Sequence, residues 1–76
     1  MRKIILKIDI VCFAGLYAGM NRTIYLETYA TESESDKEKL ISEAKNHVEM
    51  WYSNFNIIRI QRNSIRETQT ILKNEI

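Results

Sequence analysis

Between Lys3 and Phe13 the chain reads KIILKIDIVCF, and its side chains alternate. Ile4, Leu6, Ile8, Ile10 and Cys12 fall on one side of an extended chain. Lys3, Ile5, Lys7, Asp9, Val11 and Phe13 fall on the other. A period of two over this length predicts a β-strand with one face buried. The second face mixes apolar and charged residues, as expected of a central strand with neighbours on both edges.

A second alternating run, RTIYLETYA, spans Arg22 to Ala30. Ile24, Leu26, Thr28 and Ala30 share one face, and Thr23, Tyr25, Glu27 and Tyr29 the other. β-branched and aromatic residues support a strand. The stretch between the two runs, Ala14 to Asn21, holds Gly15, Gly19 and Asn21, which permit a turn. It is apolar for a hairpin loop. Leu16, Tyr17 and Met20 must fold back on the core or stand in solvent, unless the first strand runs on to Tyr17.

The period then changes. Leu40, Ile41, Ala44, Val48, Trp51, Tyr52 and Phe55 recur at steps of three and four, which predicts a helix to about Ser53 with one apolar stripe. Lys37, Lys39, Ser42, Glu43, Asn46 and Glu49 lie opposite. Ser35 with Glu38, and more weakly Ser33 with Asp36, fit capping boxes at its start. Ile57 to Arg62 reads as a third strand with Ile58 and Ile60 inward and Ile57, Arg59 and Gln61 outward. From Asn63 to Ile76 two readings compete. Ser64 and Glu67 fit a helical capping box with Ile65, Leu72 and Ile76 as a stripe. Alternatively Asn63-Ser64 turns into a fourth strand, which Thr68, Thr70 and Ile71 favour.

The expected fold is therefore α+β, a two-layer sandwich. One helix covers one face of an antiparallel or mixed sheet of three or four strands, in the order β-β-α-β with or without a final strand. A helical crossover between parallel strands is right-handed, and it places the first strand in the middle. Residues 1–76 form one small domain, because a chain of 76 residues supports a single core. A deep pocket would consume most of that interior, which argues against small-molecule catalysis.

Charge is nearly balanced, at +1 overall, so no strong field points to nucleic acid or acidic lipid. It is unevenly placed. Residues 1–30 carry four bases against two acids, residues 31–53 three against six, and residues 54–76 four against two. The acids Glu32, Glu34, Asp36 and Glu38 suit the positive end of the helix dipole. They could equally mimic phosphates for a DNA-binding partner. The basic and apolar N-terminus resembles a signal peptide until Lys7 and Asp9 interrupt it, so no targeting signal or membrane span is expected. A lone cysteine, Cys12, in the buried register fits a small core hydrophobe and a reducing cytoplasm.

No stretch carries a catalytic or metal signature. His47, the only histidine, sits at the margin of the helix stripe, where packing beside Trp51 explains it. One His and one Cys do not supply a structural zinc site. Gly15 and Gly19 lack the Lys-Ser/Thr of a phosphate loop. The acid cluster lacks the spacing of a calcium loop. No cofactor, metal or enzymatic activity is expected.

Two binding readings are left. An uncovered sheet face with Ile5, Val11, Phe13 and Ile57, a loop with Leu16, Tyr17 and Met20, and Met50 on the helix side away from the stripe together resemble a protein-binding surface. The contact residues expected are Leu16, Tyr17, Met20, Tyr25, Tyr29 and Arg59. Pairing of the chain with itself through that face is a form of the same reading. A short Lys-, Asn- and Ile-rich chain of this kind suits a small regulator or inhibitor encoded by a bacteriophage or mobile element. The alternative is single-stranded nucleic acid held by Lys3, Lys7 and Arg59 and stacked on Phe13, Tyr25 and Tyr29. Asp9 and Glu27 on the same face count against it, and a cross-strand pair of Lys7 with Glu27 would neutralise part of it.

Overall fold

A computed structural model describes residues 2–30 and 36–74. Strands β1 (Arg2–Cys12) and β2 (Asn21–Ala30) form a hairpin. Helix α1 (Lys37–Glu49) follows, then β3 (Phe55–Asn63) and β4 (Thr68–Lys73). The sheet is antiparallel throughout, in the order β2-β1-β3-β4. β1 therefore lies between β2 and β3, as its apolar pattern requires. The fourth strand replaces the helical alternative for the C-terminal segment.

The alternation of β1 works as read. Ile4, Leu6, Ile8, Ile10 and Cys12 are buried, and they meet Leu40, Ala44 and Val48 from one stripe of α1. Ile60 and Ile71 complete the buried core. Ile24, Leu26, Ile41, Tyr52, Phe55, Ile57 and Leu72 pack around it. The other sheet face is covered by no described element.

Three expectations are corrected. The first concerns β3. The register shifts between Asp9 and Ile10, which face Arg59 and Ile57 and leave Ile58 unpaired. An extra residue on one strand reverses the facing of everything beyond it. Ile57 therefore turns towards the helix with Ile10, and leaves the open face. Ile57→Ala should accordingly cost about 1–2 kcal/mol more than Ile58→Ala in urea denaturation. Equal losses would place the bulge elsewhere.

The second concerns the helix end. α1 stops at Glu49, where the Met50 and Trp51 N–H groups donate three residues back to the His47 and Val48 carbonyls (3.2 and 2.9 Å) and tighten the last turn. Trp51 consequently leaves the stripe and projects outward, 69% exposed. The third is the expected Lys7–Glu27 pair. Glu27 lies opposite Ile5, and Lys3 Nζ reaches its carboxylate at 3.0 Å. The capping partners Ser33 and Ser35 lie outside the described residues, as do Glu32 and Glu34.

Turn chemistry explains both hairpins. The Cys12 N–H donates to the Met20 carbonyl (3.0 Å), and the Gly19 N–H donates to the Cys12 carbonyl (2.7 Å). Two residues thus oppose one, with Gly19 at φ +82, which is a G1 bulge that favours glycine at that position. In the β3–β4 turn the Ser64 hydroxyl accepts from the Arg66 and Glu67 N–H groups, each at 3.3 Å. The residues that read as a helix cap serve a tight turn instead.

Candidate recognition surface

Two connections meet at one end of the molecule, where β1 finishes and β2 and β3 begin. One is the hairpin loop 13–20, the other the segment 50–54 after α1. The Phe13 N–H donates to the Asn54 carbonyl at 3.1 Å and ties them together. Tyr17 packs edge-on against Tyr52, with ring centroids 5.9 Å apart. The Arg22 guanidinium lies 4.8 Å from the centre of the Tyr17 ring. Tyr17 thus folds back onto Tyr52, which itself packs against the core, and stays partly exposed. Its neighbours stand out. Leu16 is 90% exposed, Met50 74% and Phe13 60%, and Met20 is also open.

Of the ten large hydrophobic residues exposed among those described, six lie at this end: Phe13, Leu16, Tyr17, Met20, Met50 and Trp51. Sequence periodicity placed Trp51 in the core and so missed it. The loop residues were visible because an apolar hairpin connection is unusual.

The open sheet face is a different surface. Tyr25 and Tyr29 project from it, opposite Lys7 and Lys3 on β1. The tyrosines are roughly 13 Å apart along the strand, with Glu27 between them. Asp9 occupies the middle of the sheet. Its carboxylate accepts from Arg59 Nε (3.1 Å) and Nη2 (3.0 Å) on β3, and from the Thr23 hydroxyl (2.8 Å) on β2. Three strands are stitched by this one acid. Burial pushes the Asp9 carboxyl up, but the hydrogen bonds from Thr23 and Arg59 and the Arg59 and Lys7 charges outweigh it. The net direction is below the ordinary carboxylate value. Two of the three cations expected to hold phosphates are therefore engaged within the sheet, Lys3 by Glu27 and Arg59 by Asp9.

A depressed carboxyl stabilises the fold above its unfolded pKa, and loses that contribution as pH falls through the folded value. Asp9→Asn should cost about 1 kcal/mol at pH 7, given the partly exposed partners. The gap between wild type and variant should close as pH falls from about 4 towards 2. Thermal melts across that range check it, and a constant gap would mean that the carboxylate charge plays no part.

No group of three or more His, Cys, Asp or Glu side chains able to hold a metal ion occurs among the described residues. No described helix is long and apolar enough to cross a membrane. No protein-family model matches the chain, no curated protein matches it, and no solved structure matches its fold.

Proposed function

We propose that the chain is a non-enzymatic module that recognises another protein through the apolar end built by loop 13–20 and segment 50–54. The observation that carries this reading is the crowding of exposed Leu, Met, Phe and Trp side chains onto two connections that are themselves fixed. The Tyr17–Tyr52 contact and the Phe13–Asn54 hydrogen bond hold the platform, so little ordering entropy is lost on binding. Aromatic and Met side chains of this kind form the desolvated centres of interfaces. Arg22 at the margin adds a cation near the platform. The expected setting is the cytoplasm, and the expected role is regulatory or inhibitory, in the manner of a small phage or mobile-element protein acting on a host component. Single-strand binding on the open face is the weaker reading, since Glu27 separates the tyrosines and two cations are already paired.

The test is capture from native cytosol on the tagged chain, washed in low and then high salt. An apolar interface retains a stoichiometric protein through the high-salt wash. Nucleic acid that leaves in high salt, seen in the absorbance ratio at 260 and 280 nm, would instead select the open face, since phosphate contacts weaken steeply with salt.

A further inference from the structure

β2 is an edge strand, and the hydrogen-bond phase of its hairpin shows what that edge offers. Cys12 bonds with Gly19 and Met20 across the bulge. Ladder bonds alternate along an antiparallel pair. Arg22, Ile24, Leu26 and Thr28 therefore turn their N–H and C=O groups towards β1. Thr23, Tyr25, Glu27 and Tyr29 turn theirs outward, where no described element pairs with them. The strand is ten residues long and contains no proline or glycine, and its pairing with β1 has no register shift. The opposite edge differs. β4 has six residues, a bulge at Ile71, which is left unpaired where Ile60 and Gln61 face Leu72 and Thr70, and Lys73 at its end. Short length, a bulge and lysine are the devices that keep an edge from pairing. β2 has none of them.

We propose that β2 pairs with β2 of a second copy of this chain, antiparallel about a two-fold axis at Leu26. The register is set by the strand's own residues. Its only charges are Arg22 and Glu27, which lie on opposite faces. With the axis at Leu26, Glu27 meets Tyr25 of the second copy, Thr23 meets Tyr29, and Arg22 meets Ala30. An axis at Glu27 would set two carboxylates opposite each other, which is unfavourable. Leu26 then meets its own counterpart at a non-hydrogen-bonded position, where side chains approach most closely. Leu26 and Ile24 are only partly buried at this edge, so the pairing completes their burial. A net charge of +1 per copy opposes association little. The product is a continuous eight-stranded sheet with both helices on one side.

Light scattering coupled to size exclusion on the full chain, over a wide concentration series, reads the state. The expected mass at high concentration is twice the 9.0 kDa of one chain. A single-chain mass throughout overturns the proposal. Tyr25→Pro removes an outward N–H and is compatible with an edge strand. It should weaken dimerisation at least ten-fold with an unchanged circular dichroism spectrum. A dimer that persists in a folded Tyr25→Pro variant overturns the proposal. Should that variant not fold, Leu26→Cys decides. Under mild oxidation it should cross-link into dimers far faster than Tyr29→Cys, whose counterpart lies well along the strand. Equal rates overturn the assigned pairing.

Discussion

Ile8→Ala should leave the chain close to its unfolding midpoint at 25 °C. Ile8 is fully buried at the centre of β1, between Ile24 on β2 and Ile60 on β3. Truncating such a residue costs about 2–5 kcal/mol, because the lost transfer energy is joined by a cavity that its neighbours fill only partly. A domain of this size has only about 3–5 kcal/mol to lose. Ile5→Ala, on the same strand but on the open face, should cost less than about 1 kcal/mol. Urea denaturation followed by circular dichroism separates the two. Similar midpoints would mean that the helix does not cover the even-numbered face.

The second large effect is on recognition. Leu16→Ser combined with Trp51→Ser should abolish capture of a protein partner while shifting the melting temperature by no more than about 2 °C, since neither side chain is packed in the core. Central aromatic and aliphatic anchors commonly contribute about 2 kcal/mol or more each to an interface. Two lost together therefore weaken binding by a factor of about a thousand. A large fall in melting temperature would assign both residues to the core. Undiminished capture would move the interface to the open face or the helix.

How much of the fold is legible in the sequence varies with the length over which each pattern persists. β1 was legible because a strict alternation over eleven residues admits one reading, and its even face became the core. The central place of β1 followed from the crossover and its apolar second face. The third strand was legible as a strand but not in its facing. Ile57 and Ile58 are both apolar, and a bulge leaves no mark on composition, so the phase of alternation beyond it is undetermined until pairing with β1 is seen. The helix stripe was right at Leu40, Ala44 and Val48 and wrong at Trp51. No glycine or proline ends α1, and periodicity alone carried the helix past Glu49. That error concealed the place of Trp51 at the apolar end. Leu16, Tyr17 and Met20 pointed to it through their odd presence in a turn, and Met50 through its place away from the stripe, but Trp51 joins them only once the helix has stopped. The Asp9–Arg59–Thr23 network required the register of three strands, which no local pattern contains.

Trp51 is the only tryptophan of the chain, and this makes its fluorescence a direct reporter of the apolar end. Acrylamide quenching would be measured on the free chain and again with the captured partner in excess. An indole standing in solvent on the free chain and buried beneath a partner should be strongly quenched alone and protected in the complex, with its emission shifted to the blue. A partner that binds stoichiometrically while Trp51 stays as quenchable as before would contradict recognition through the two joined connections.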